Sequence, residues 1–440
     1  MGPRQRRRPL SESEGEDRMI KQIVTALKAN PSVSGWLVNE TVTVSSQVFY
    51  VMQKKETTRR VETREYQVTV YHRHGEQNAF VGSSMFAVSR KLTKAELARK
   101  IEEAVFAARF VKNKAFDLVK GAGKRTWKEK PETADPYVIL DDIANTFFAA
   151  ATPVSRFNAL EAFHARQTIR ILNSEGVDFT KTQSKIDIEA IPSHDGPERK
   201  VELIRMFTYK TVDLDLVKKD AAVAIADVAL RYDARKLENV PKADVILAGD
   251  DVEDFLRELI GDFSYDGVYR KSTDKKIGDA IQSEIQGDAL SIGWTLSSKA
   301  DAFDRDGVML APVRVVEAGK LVGYYGSNQY AQYLGLQPVG VFGTIEAAAG
   351  KTTIARMKAK PHLEIIALSG IQIDIYSGYI GGEVRLAVWF DGKNRIPVSG
   401  FSFSGNIDKA LSDLVLSKET VQGVRYHGPK CILLKGMDVL

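Results

Sequence analysis

One cysteine and six histidines in 440 residues are few for a chain of this size, and each scarcity removes a class of chemistry. Cys431 alone can form neither an intramolecular disulfide framework nor a multi-cysteine metal centre, which fits a reducing, cytoplasmic setting. No apolar run approaches the roughly 20 residues that span a bilayer. The basic start lacks the apolar core of a signal peptide. Neither sign of charge dominates: 62 basic against 57 acidic residues leave +5, too balanced to imply nucleic acid. What remains is 44% hydrophobic and 27% charged, the composition of an ordinary soluble protein long enough for two or three cores.

Residues 1–18 carry Arg4, Arg6, Arg7 and Arg8, then Glu12, Glu14, Glu16 and Asp17. Nothing apolar repeats there, so a disordered leader is expected. A short amphipathic helix is expected over Ile20–Lys28. Beyond it the apolar period changes to two, in pieces such as Val48-Phe49-Tyr50-Val51 and Tyr66–Tyr71, which read as strands. Thr93 and Glu96 then stand at capping-box spacing before a helix with Leu97, Ile101, Ala104, Val105 and Ala108 on its apolar face. A second unit repeats the plan, with strands within 167–209 and a helix from Asp213 to Asp233. Gly121–Pro136, rich in Gly, Lys, Glu and Pro, reads as the connection. The expected class is α+β. An N-terminal domain, 19–235, holds two sheet-plus-helix units (about 19–120 and 137–235), and a β-rich, largely antiparallel domain fills 236–440.

The stretch Asp250–Phe263 reads as a helix whose Val252, Phe255, Leu256, Leu259 and Ile260 share one face. Asp250 or Asp251 is the expected N-cap and Gly261 the expected left-handed terminator. A zinc hydrolase places histidines and a glutamate on such a helix, because zinc needs fixed lone-pair donors and its water needs a base. Here there is a glutamate, Glu253, and no histidine.

Other patterns are weaker. Gly350-Lys351-Thr352 lacks the opening glycine of a phosphate-binding loop, since Ile345 stands there. His72 and His74 share a strand face without an evident third ligand. Cys431 lies four residues after His427, but within the apolar run Cys-Ile-Leu-Leu, where a core role is favoured. Asp301, Asp304, Asp306 and Gly307 suggest a calcium loop without its closing glutamate, so a turn is the better reading.

From residue 303 an ordered series of short motifs begins: Phe303-Asp304-Arg305-Asp306-Gly307-Val308, Val315–Tyr324 around Glu317-Ala318-Gly319, Tyr330-Ala331, Leu334-Gly335, Ile371–Phe390, and Ile396–Asn406. This order resembles the TldD/PmbA family. In that family, TldD-type subunits carry His-Glu-x-x-x-His on a helix with a further cysteine ligand, and look like zinc peptidases. TldE/PmbA-type subunits lack the motif and pair with the first kind. Aligned on Gly261-Asp262-Phe263, the motif falls on Val252, Glu253 and Arg257, of which only the glutamate matches. Glu253 is either a remnant of that motif or simply a solvated helix residue, and Cys431 lies beyond the ligand loop.

The resemblance therefore implies a TldE/PmbA-type subunit with no catalytic, cofactor or metal residue of its own. Zinc is expected in a TldD-type partner. The expected assembly is a heterodimer with that partner, or else a homodimer acting as a peptide-binding scaffold. Unfolded peptides are the expected substrate, with no membrane or nucleic acid involved.

Overall fold

The computed structural model of the chain describes residues 12–440 apart from 90, 122 and 131–133. Helix α1 (Glu12–Ala29) opens it, starting before the expected Ile20, since adding residues to a formed helix costs less than nucleating one. The expected leader thus falls largely outside the described residues, and its end, 12–18, is helical.

Four long strands dominate the N-terminal half: β1 (Gly35–Val51), β2 (Lys54–His74), and two that follow the shorter elements below. After β2 come β3 (Phe80–Val88), α2 (Lys94–Ala108), β4 (Asn113–Lys114), β5 (Gly123–Lys128) and α3 (Pro136–Phe148). Then follow β6 (Ser155–Asn173), β7 (Val177–Asp195), β8 (Lys200–Glu202), β9 (Arg205–Tyr209) and α4 (Leu214–Asp233). The sheet order is β4-β3-β2-β1-β6-β7-β5, with β8 and β9 also on β7. The two expected units are therefore halves of one sheet, joined where β1 pairs antiparallel with β6 from Leu37↔Asn173 to Val51↔Ala159. The segment expected as a mere connection contributes β5, which lies parallel to β7 from Gly123↔Val177 to Lys128↔Thr182.

Helices cover one face of this sheet. Val38 and Val48 are an even number of residues apart on β1, so both point to that face. Val38 joins Ile23, Leu27, Val68 and Ile101 under α1 and α2, and Val48 joins Leu140, Phe147, Phe157 and Val217 under α3 and α4. Thr93 and Glu96 form the expected capping box on α2. Asp135 caps α3, with Pro136 preset for the first helical position.

The opposite face receives the C-terminal half. Ile171, Val177 and Phe179 pack with Ala302 and Phe303. Lys181 Nζ reaches Asp301 Oδ1 at 2.9 Å and Phe303 O at 2.7 Å. Asn328 and Gln332 both donate side-chain amides to Asp117 O at 2.7 Å. Within the C-terminal half an eight-stranded sheet includes Lys242–Ala248, His362–Asp374, Tyr379–Phe390 and Cys431–Val439, and a six-stranded sheet includes Ile292–Thr295 and Thr344–Ala347. Most pairings are antiparallel; Lys242–Ala248 with His362–Asp374 is one parallel exception. Their shared core contains the apolar face of the next helix, α5 (Asp250–Gly261). The fold is α+β.

Candidate functional site

The apolar face of α5 is as expected: Val252, Phe255, Leu256, Leu259 and Ile260 are all fully buried. Each such side chain stabilises the fold by about 1.5–3 kcal/mol. Both expected ends need correction. The N-cap is Gly249, at φ 61° and ψ −133°, with no side-chain cap. The strand Lys242–Ala248 turns into α5 so sharply that a positive φ is required, and glycine supplies it. Gly261 is still helical and Asp262 follows at φ −69°, so no left-handed residue ends the helix.

The three motif positions fall into two environments. Val252 lies in the core and offers no donor atom. Glu253 and Arg257 face outward together, four residues apart. Glu253 is not solvated, as its place on a polar helix face suggested. It is buried, and its Oε1 accepts from Arg257 Nη2 at 2.7 Å and Nε at 3.3 Å. A second guanidinium, Arg425, brings Nη2 to the same oxygen at 2.8 Å. Arg257 also donates to Gly343 O at 3.1 Å and stacks over Trp294, 5.0 Å from the ring centre. Trp294 in turn packs on Tyr325 at 4.9 Å. Two cations thus converge on one carboxylate oxygen. A zinc ion does not fit this group, since valine has no lone pair, arginine stays protonated, and the glutamate is engaged twice.

Arg425 also lines a cleft of about 850 Å³ between the open face of the N-terminal sheet and the C-terminal half. Its cations are Lys181, Lys185, Lys210, Arg270, Arg305 and Arg425; its carboxylates are Asp266, Asp301 and Asp304. Asp304 is committed to the backbone, accepting from Asp306 N and Val308 N at 2.9 Å and from Val341 N at 3.1 Å. Burial, then the neighbouring Asp306, push its carboxyl up to about 6 against those three donors. With Gly307 at φ 86° this is a turn, as expected, with its carboxylate oxygens already taken. A larger hollow, about 1000 Å³, lies between α3 and α4, but alanines such as Ala149, Ala222 and Ala226 wall it, and its charged lining is one acid, Asp142, and one base, Lys218.

The remaining candidates disperse. His72 Nδ1 lies 2.7 Å from Ser32 O and His74 Nε2 2.9 Å from Val111 O, so backbone carbonyls hold both rings. Cys431 is buried, and burial pushes its thiol up to about 11, away from nucleophilic use. Gly350 sits against the backbone of Leu416, four residues before the single-turn helix Ile354–Met357. Among the described residues no group of three or more His, Cys, Asp or Glu side chains is placed to hold a metal ion, and no helix is long and apolar enough to cross a membrane. Arg425 was not foreseen: it lies far along the chain from α5, in the turn before Tyr426–Pro429, and no local pattern marks it.

Residues 241–440 match the family description PmbA/TldA metallopeptidase C-terminal domain. None of the curated proteins matches the chain in sequence. Three solved structures are similar over nearly the whole length. TldE from Thermococcus kodakarensis has a TM-score of 0.76 at 13% identity, covering 97% of this chain and 99% of that one. A proposed modulator of DNA gyrase from Bacteroides thetaiotaomicron has 0.78 at 13% identity, covering 98% and 99%. One from Thermotoga maritima has 0.71 at 13% identity, covering 98% and 100%. At that identity the likeness shows a common fold.

Proposed function

The chain belongs to the TldD/PmbA/TldE family, and from that premise we propose that it is the non-catalytic, TldE/PmbA-type subunit of a cytoplasmic TldD/TldE-type zinc metallopeptidase acting on unfolded peptides. One observation carries the reading: at the motif positions Val252 is core and Arg257 is a cation bound to Glu253. A zinc-bound water needs three protein ligands around the metal, and these side chains supply none of the nitrogens. The zinc and the bond cleavage then belong to a TldD-type partner. This chain shapes one wall of the chamber and holds the peptide in its interdomain cleft.

The partner is expected on the C-terminal strands and the neighbourhood of α5, over an obligate-sized interface of roughly 2,000 Å² or more. The test is to purify the chain natively, assay its metal and peptidase activity, and then add a TldD-type protein. The expected result is no stoichiometric zinc and no cleavage alone, with chelator-sensitive cleavage once the partner is present. One zinc per molecule together with peptide hydrolysis by the chain alone overturns the reading.

A further inference from the structure

We propose that Arg425, clamped with Arg257 on Glu253, forms a carboxylate-binding site in the interdomain cleft, so that this subunit holds a peptide by an anionic group. The inference deepens the peptide-handling role above by naming what part of the peptide is held. Its test needs no partner, so the two readings can fail separately.

The argument begins with charge. Glu253 Oε1 takes both guanidiniums, which leaves one positive charge in excess at this point. Asp250 lies near enough to feel Arg425 but makes no ion pair with it. Most of the other cleft cations are already committed. Lys181 is paired with Asp301, Lys185 with Asp187, and Lys210 with Glu129. Arg270 donates to Tyr330 Oη at 2.9 Å and lies 3.9 Å from Asp266.

Geometry then picks out Arg425. Its side chain is 62% exposed and lines the cleft, while the oxygen that anchors it belongs to a side chain only 9% exposed. A guanidinium fixed at one edge keeps further N–H donors free for a planar oxyanion, and its entropy of ordering is already spent on Glu253. Arg257 is held at its back by Trp294 and by Gly343 O, so it stays at the site as a second charge. Where zinc peptidases of the family place a metal cation, this chain therefore places fixed positive charge of its own, which attracts an anion. A carboxylate at the chain terminus, or on an Asp or Glu side chain, is the group this sign and shape accept.

The test is fluorescence-anisotropy titration of the full chain with three labelled unfolded peptides of one neutral sequence. The first ends in a free carboxylate, the second in an amide, and the third is the amide with one internal Glu. The free-acid or the Glu peptide should bind at least about tenfold more tightly than the neutral amide, about 1.4 kcal/mol. Whichever does so identifies the source of the carboxylate. Arg425→Ala should abolish that preference and leave the neutral amide's affinity unchanged, and Arg425→Lys should restore only part of it, since lysine keeps the charge without the fork. An unchanged thermal midpoint of Arg425→Ala certifies the fold. Equal binding of all three peptides by the wild type overturns the proposal, even if inorganic phosphate alone binds, as does an Arg425→Ala variant that weakens all three alike.

Discussion

Replacing Glu253 by Gln keeps the shape of the side chain and removes the charge on which two arginines converge. The cost can be worked out from exposure. Arg425 is 62% exposed and returns to water, so its share is about 0–1 kcal/mol. Arg257 is 29% exposed and keeps Gly343 O and the Trp294 ring, but loses a charge-assisted bond worth about 1.5–3 kcal/mol. Glutamine's carbonyl can still accept one guanidinium N–H, which offsets roughly 1 kcal/mol of that loss. The net is about 2 kcal/mol. For a C-terminal half of this size it should lower the thermal midpoint by roughly 4–8 °C. Scanning calorimetry of the full chain, in a double-mutant cycle with Arg257→Met, separates the pair from its surroundings. The double variant should lose less than the sum of the single ones, because no buried charge is left unpaired. A Glu253→Gln midpoint within about 1 °C of wild type, or strict additivity in the cycle, would falsify the assignment of this cluster as a coupled unit.

Three further outcomes follow from other parts of the structure. Burial, with Asp254 and Asp250 alongside, pushes Asp251 up to about 7 from 3.8, so its ionisation opposes folding fully above about pH 7 and not at all below the ordinary carboxylate range. Asp251→Asn should therefore raise the midpoint at pH 8 by the equivalent of about 1–2 kcal/mol, with the gain shrinking as pH falls from 7 towards 4; a gain that grows with acidity contradicts this. Gly249→Ala meets no atom within 4 Å but must hold φ 61°, ψ −133°, so urea titration should show about 1–2 kcal/mol lost to backbone strain alone. Asp301→Asn breaks an ion pair whose side chains are only 12% and 14% exposed, and hydrogen exchange in 300–308 should quicken while α5 stays protected; unchanged exchange would show that this ion pair does not hold the segment in place.

The parts of the fold legible in sequence are those settled within one or two helical turns. The capping box of α2, the apolar face of α5 and the Asp213-capped α4 all depend on neighbours in the chain. The full lengths of β1 and β2 were not legible. Lys54 to Thr63 is exposed throughout, so it shows no apolar alternation and resembles a polar loop, although it pairs residue by residue with the end of β1. A register shift at Phe49/Tyr50 breaks the period further. β5 was hidden for a related reason: its pairing with β7 is parallel and distant, and within Gly-Lys-Arg-Thr-Trp-Lys only Thr126 and Trp127 favour a strand. The joining of two units into one sheet is likewise a long-range pairing, which local pattern cannot report.

The site divides along the same line. Glu253 and Arg257 stand four residues apart on a helix, a spacing at which side chains meet, although the sequence alone did not pair them. Arg425 has no such local mark, and it changes the meaning of the other two. With Arg257 alone, Glu253 would be one half of a neutral pair, and a single Arg257→His exchange would leave a glutamate free beside an imidazole. With Arg425 also bound at 2.8 Å, the carboxylate remains held by a cation after that exchange. Val252→His would be required as well, and it would place an imidazole among fully buried apolar side chains, where an unpartnered polar group costs about 1–3 kcal/mol. Val252 offers a cation no ligand, and Arg257 on α5 and Arg425 in a distant turn both oppose a cation and favour an anion. Random loss of one ligand would leave the others able to hold a metal in part. Two arginines far apart in the chain, agreeing in sign on one buried carboxylate, are instead what the carboxylate site proposed above requires.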